Sequence, residues 1–327
     1  MKKKTVVIIF TGGTISMEKH GRTKKAIITD NQDELLDSIR SELKGIDLIP
    51  FQFSMKPSPS MRPDDMLKLA RLTEQYLEDP KVNGVVITHG TDTLEESAYF
   101  LDLYLSQKKP AVFTGSMRNF SELGYDGMSN LVSSILVASS QKSRNRGVLV
   151  VLNDEINAAS EVTKSDTLAL DTFKSLQFGP IGIIDQETVL YYRRTPVTTS
   201  HLRPEELVES VEIVKAYAGS DSLLLNFLVD HGVRGIVLEA LGRGNIPPLM
   251  VDGVKQAIAN SIPVVLTSRC PIGRVIDTYD YAGGGYHLSR LGVIFVNNLN
   301  SQKARIKLMF ALSVFQSHAE IETFFKR

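Results

Sequence analysis

The chain has 327 residues, 43 % of them hydrophobic, with 23 glycines. That composition excludes a disordered protein, and a chain this long suggests roughly two domains burying about three quarters of their unfolded surface. Lys+Arg 37 offset Asp+Glu 37 with no basic run beyond Lys2-Lys3-Lys4, which speaks against a nucleic-acid backbone as partner. Cys270, the single cysteine, permits neither an internal disulfide nor a thiolate metal cage, and fits a reducing compartment.

The start imitates a secretory leader, but the apolar run 5–10 stops at Thr11-Gly12-Gly13 and no small-x-small cleavage site follows. It reads as a buried first strand of a cytoplasmic protein. No apolar run reaches the roughly 18–20 residues needed to cross a bilayer, so no membrane partner is expected. Short β-branched runs at 5–10, 48–55, 84–88, 110–114 and 147–152 alternate with segments of helical period. The helices are expected after the capping-box pattern Asn31-Gln-Asp-Glu34, from Pro63 to about Glu78, at 92–106 and at 127–140. Strand runs that are apolar throughout indicate burial on both faces, as in a parallel sheet under helices.

From Tyr191 to Pro204 the pattern becomes polar, proline-containing and aperiodic, the character of a linker. A second alternation follows, with strands at 212–215, 235–238, 262–267 and 292–296 and helices at 222–231, 248–261 and 301–315. The expected architecture is α/β. A larger N-terminal domain (1–190) has a parallel-type sheet flanked by helices, followed by a linker (191–211) and a smaller C-terminal α/β domain (212–327).

Open α/β sheets bind ligands beyond the carboxyl ends of their strands. Two glycine-containing polar segments stand there, Thr11-Gly12-Gly13-Thr14-Ile15 and Thr88-His89-Gly90-Thr91-Asp92-Thr93. Each delivers hydroxyls from a strand end, and glycine lets the backbone pass close to a ligand. Each also has a purely structural explanation. Gly12-Gly13 suits a tight turn, and Asp92-Thr-Leu-Glu95 and Thr93-Leu-Glu-Glu96 both have capping-box form. Neither a dinucleotide fingerprint nor a phosphate-binding P-loop occurs, so nucleotide cofactors are not expected. The six histidines show no ligand-like pairing, and no metal is expected. His89 is expected to order its turn, and Cys270 to be a small buried hydrophobe.

The two threonine motifs, in this order, resemble those of the bacterial-type L-asparaginases, the asparaginase/glutaminase family. The likeness continues through Glu95-Glu-Ser-Ala-Tyr-Phe-Leu-Asp102, Gly115-Ser-Met-Arg118, Asp126-Gly127, Val162-Thr-Lys164 and Thr172-Phe-Lys-Ser175. It resumes at Gly242-Arg-Gly-Asn245 and Leu299-Asn-Ser-Gln-Lys-Ala-Arg305. The resemblance implies a two-domain α/β fold and cofactor-free hydrolysis of L-asparagine to L-aspartate and ammonia. It also implies a homo-oligomer, dimer or tetramer, with sites near a dimer interface. It makes Thr14 the nucleophile, with Thr91, Asp92 and Lys164 as a second polar cluster. Asp92 would grip the substrate α-ammonium, Ser58 the α-carboxylate, and Ser116 would line the side-chain amide pocket. To accept a proton Lys164 must be neutral, which burial favours and an adjacent carboxylate opposes. Backbone N–H groups near Gly13 and Gly90 would stabilise the oxyanion.

The chain departs from the family at three places. No tyrosine stands in 16–29, where relatives carry one against the nucleophile; the matching stretch reads Lys24-Lys25-Ala26-Ile27, with His20 as a conceivable substitute. Pro59 replaces a polar substrate-contacting residue. The stretches 217–221 and 281–286 offer neither the asparagine nor the glutamate that relatives receive from a neighbouring subunit. The expected function is that of an L-asparaginase; the alternatives are a glutaminase-asparaginase of broader specificity and a non-catalytic amino-acid binder on the same fold. Glutamine differs by one methylene, worth only about 1–3 kcal/mol in a pocket.

Overall fold

A computed structural model describes residues 3–13, 15, 17–20, 25–28, 32–106, 108–195 and 201–326. It divides into two compact units, Met1–His201 and Leu202–Arg327.

The first unit runs β1 (Lys4–Phe10), β2 (Met17–His20), β3 (Lys25–Ile28), α1 (Gln32–Ile39), β4 (Ile46–Gln52), α2 (Pro63–Glu78), β5 (Gly84–Thr88), α3 (Leu94–Tyr104), β6 (Ala111–Thr114) and α4 (Gly127–Ser139). It continues with β7 (Val148–Leu152), β8 (Glu155–Ala158), β9 (Thr163–Lys164), β10 (Phe173–Lys174), β11 (Gly182–Asp185) and β12 (Thr188–Tyr191). One sheet holds eight strands in the order β12-β11-β8-β7-β6-β5-β1-β4. From β4 to β7 all neighbours are parallel, as the apolar runs predicted. In β1, Val6, Ile8 and Phe10 join the core formed with Leu35 and Ile39 of α1 and Leu131 and Ile135 of α4. Val7 and Ile9 point to the opposite face and are equally buried, on the side that α2 and α3 cover. A strand covered on both faces has no place for a polar residue, which is why its sequence does not alternate. The edge strand β4 carries Pro50 opposite Ile8.

Beyond β7 the sheet becomes antiparallel, an extension absent from the sequence reading. Asn153 and Asp154 both have positive φ, 50° and 57°, and form a two-residue turn that pairs Leu152 with Glu155. Such turns match the twist of the strands they join. The pairs β2–β3 and β9–β10 form separate short ribbons. Asn31, of the expected capping box, lies outside the described residues. Over the expected linker, β12 ends at Tyr191, and 201–210 contain neither helix nor strand.

The second unit contains β13 (Val211–Lys215), α5 (Leu223–Asp230), β14 (Gly235–Ala240), α6 (Val251–Ala259), β15 (Val264–Ser268), α7 (Gly285–Arg290), β16 (Ile294–Phe295), α8 (Ser301–Val314) and α9 (His318–Lys326). Its four strands are parallel in the order β13-β14-β15-β16. Leu225 of α5, Val254 and Ala257 of α6 and Leu288 of α7 pack into its core. Both α7 and α9 were absent from the sequence reading. Cys270 corrects another expectation: it is exposed, because it sits in the loop after β15, where its N–H donates to Ser268 Oγ at 3.1 Å. Among the described residues, no helix is long and apolar enough to cross a membrane.

Candidate active site

The loops leaving β1, β4, β5 and β6 nest against one another at the carboxyl edge of the parallel strands, and glycine makes the nesting feasible. Gly13 has φ +89°, and a Cβ there would lie 2.4 Å from Gly90 Cα and N. A Cβ on Gly90 would come within 2.8 Å of Ser58, and one on Gly115 within 2.5 Å of the His89 carbonyl. Thr11 laces the ends together: its Oγ1 donates to the Thr88 carbonyl at 2.8 Å, and its own carbonyl accepts Ser54 Oγ at 2.7 Å. The two segments singled out in the sequence therefore meet backbone to backbone. Thr14 itself lies outside the described residues.

On this floor Thr91, Asp92, Ser58 and Lys164 come together. Lys164 Nζ donates to Thr91 Oγ1 at 2.9 Å and to Asp92 Oδ1 at 2.7 Å. Its side chain is 17 % exposed against 61 % for Asp92, so the ammonium is sheltered while the carboxylate faces the opening. Ser58 Oγ accepts the Asp92 N–H at 3.2 Å, and the Ser58 carbonyl accepts Thr93 Oγ1 at 2.8 Å. Thr93 thus ties its loop to Ser58 and makes no side-chain cap on α3, contrary to one structural reading of this segment.

A cavity of about 200 Å³ opens between these groups, lined by Gly13, Ser58, Gly90, Thr91, Asp92 and Lys164 among others. That is below the roughly 300–1,000 Å³ of sites for drug-sized ligands and suits a small polar metabolite. Ser116 does not line it. The residue is fully buried, with Oγ donating to the Arg118 carbonyl at 2.7 Å, and its neighbour Met117 forms that part of the wall. The 116–118 turn is held by Asp126, whose carboxylate accepts the N–H groups of Met117 and Arg118 at 3.0 and 2.9 Å.

His89 orders the loop from below. Its Nδ1 lies 2.8 Å from the Gly90 carbonyl and its Nε2 2.9 Å from Ser97 Oγ. A carbonyl only accepts, so Nδ1 carries the hydrogen and Nε2 receives the serine proton. Burial lowers the imidazole pKa to about 4, against the smaller opposing effect of the Gly90 bond, so the ring is neutral near pH 7.

Lys164 arrives by a different route. It sits in the two-residue strand β9, paired with β10 at Phe173. Side chains hold this ribbon: Thr163 Oγ1 donates to the buried Glu95 of α3 at 3.0 Å, and Ser165 Oγ and the Asp166 N–H bond Thr172, both at 2.8 Å. The sequence reading cast Glu95 only as a capping-box partner and missed this tie. Nothing in the sequence distinguishes the two roles, because the burial of Glu95 follows only from the tertiary packing. Among the described residues, no group of three or more His, Cys, Asp or Glu is placed to hold a metal ion.

Residues 5–197 match the family model "Asparaginase, N-terminal", and residues 210–325 match "Glutaminase/Asparaginase C-terminal domain". The L-asparaginase of Bacillus licheniformis is 37 % identical over 316 residues, 96 % of this chain and 97 % of that protein. A probable periplasmic L-asparaginase of Haemophilus influenzae is 34 % identical, covering 98 % of this chain and 92 % of its own. Among solved structures, a probable cytoplasmic L-asparaginase from Campylobacter jejuni superposes with a TM-score of 0.86 at 31 % identity, covering 99 % of this chain and 100 % of that one. Fold and matches together make this chain an amidohydrolase. It belongs to the asparaginase family.

Proposed function

We propose that the chain hydrolyses the side-chain amide of L-asparagine to L-aspartate and ammonia, with Thr14 as nucleophile. The observation that carries the reading is the sheltered Lys164 ammonium, bonded at once to Thr91 and Asp92 at the wall of a cavity of amino-acid size. The substrate α-ammonium takes Asp92 as its counter-ion, and Ser58 and its neighbouring loop receive the α-carboxylate. The competition loosens the Lys164–Asp92 pair and frees Lys164 for proton transfer. Thr14 Oγ attacks the amide carbonyl carbon while its proton passes to the departing nitrogen. The C–O bond forms, the C–N bond breaks, and ammonia leaves with that proton. Water oriented by Thr91 then attacks the acyl ester. The Lys164 ammonium gives a proton to Thr14 Oγ as the ester C–O bond breaks and aspartate is released, and takes the water's proton in its place through Thr91, so that it ends as it began. Backbone N–H groups near Gly13 and Gly90 stabilise the oxyanion in both steps. The buried Ser116 contributes to the amide pocket through the shape of its turn.

Two finer readings go with this one. The protein acts as a homo-oligomer, dimer or tetramer; the exposed Leu223, Leu224 and Phe227 of α5 supply an apolar face suited to self-association. It works in the cytoplasm, a reading supported by its single unpaired cysteine.

The test is ammonia release from L-asparagine, L-glutamine and D-asparagine side by side, with Thr14→Ala as the blank. L-asparagine is expected to be the preferred substrate and the blank inactive. Thermal stabilisation by aspartate without turnover of any amide would instead mark a binder, and equal rates on L-glutamine the broader enzyme.

A further inference from the structure

The segment that follows β1 is anchored on both sides of position 14. Before it, the Gly13 backbone lies against Gly90, where no side chain fits. After it, the carbonyl of the fully buried Ile15 accepts a hydrogen bond of 2.8 Å from Tyr125 Oη. Tyr125 comes from a distant part of the chain, the turn that opens α4. Its ring packs edge-on against Phe120 with centroids 5.3 Å apart. The next residue, Asp126, accepts from the N–H groups of Met117 and Arg118 and from Asn130 Nδ2 at 3.0 Å, so the turn that bears the phenol is itself fixed. Burial, with the Asp126 carboxylate adding to it, pushes the phenol above its ordinary range, so it remains a donor through the working pH.

We propose that Tyr125 is a positioning residue for the reaction: its hydroxyl fixes the segment bearing residue 14 relative to Thr91 and Lys164. The inference rests on the assignment of Thr14 as nucleophile. A nucleophile displaced by a fraction of an ångström loses rate more than affinity, because the substrate's charged ends are gripped elsewhere, at Asp92 and Ser58. The effect therefore belongs in kcat.

A second position tests the same bond with the tyrosine itself retained. A Cβ on Gly127, the first residue of α4, would lie 2.1 Å from Tyr125 Oη and drive the ring tip away. Alanine is otherwise the better helix residue. Wild type, Tyr125→Phe, Gly127→Ala and Thr14→Ala are compared by steady-state ammonia release from L-asparagine and by thermal unfolding. Tyr125→Phe and Gly127→Ala are each expected to lower kcat about tenfold, with KM within twofold and melting within a few degrees of wild type. The proposal is overturned if both keep kcat within twofold of wild type while Thr14→Ala is inactive, or if their loss lies in KM alone. An active Thr14→Ala enzyme would remove the nucleophile assignment itself, and the positioning role with it.

Discussion

The two halves of the pocket are built by opposite means. Ser58, Gly90, Thr91 and Asp92 ride on loops at the ends of parallel strands, packed backbone to backbone where Gly13 and Gly90 allow it. Lys164 rides on a two-residue ribbon held by side-chain bonds from Thr163, Ser165 and Thr172. Backbone nesting tolerates almost no substitution, whereas a side-chain tether loosens by degrees. The strand-end half should therefore fail through stability, and the ribbon half through rate.

Four measurements would break or sharpen that contrast. The largest effect is expected from Lys164→Met, which removes the amine and should lower kcat at least about a thousandfold with aspartate binding still measurable by calorimetry. A normally active variant would end its role in proton transfer. Gly13→Ala comes next. It forces a Cβ into Gly90 at a φ of +89°, and should cost about 4 kcal/mol in denaturant unfolding. A loss under about 1 kcal/mol would mean that the nesting is loose.

The third concerns pH. His89 has a pKa of about 4 when folded and about 6.5 when unfolded. Between those values the unfolded chain binds a proton that the folded chain refuses, so stability falls as pH drops from about 6.5 to 4. The contribution, about 3 kcal/mol, is fully present above pH 6.5. Unfolding followed from pH 7 to pH 4.5 in wild type and His89→Gln should show that slope only in wild type. The smallest effect is expected from Thr163→Val, which cuts the tie to Glu95: about 1 kcal/mol of stability and a fewfold to tenfold loss in kcat. If Thr163→Val proved as destabilising as Gly13→Ala, the proposed division between the halves would fail.

The same contrast governs what could be read from the sequence. Runs such as Val6–Phe10 and the helix opened by Pro63 are legible because burial on both sheet faces and proline at a first turn leave unambiguous local marks. The pair Thr91-Asp92 was legible as a candidate site because it follows such a strand, which ends at Thr88. The β9–β10 ribbon was not, since two residues carry no period and only tertiary bonds hold them; Lys164 became a candidate through family resemblance alone. Two overlooked signals were present. Asn153-Asp154 is a turn pair suited to positive φ, and Ser317-His-Ala-Glu320 is a capping box, realised as Ser317 N–H to Glu320 and Glu320 N–H to Ser317 Oγ at the start of α9. The tie from Thr163 to Glu95 was not legible because a helix-start acid looks the same in sequence whether or not it also holds a neighbouring ribbon.

Pro50 bears on how the molecule behaves in a crowded solution. It stands in β4, the outermost strand, beside the half-exposed Ile49 and Phe51, where an open row of amides would otherwise invite a strand from another molecule. A residue with no N–H leaves that row interrupted, so an incoming chain finds no unbroken ladder to extend. This border of the large sheet, opposite the β12 edge, thereby carries its own guard against edge-to-edge aggregation.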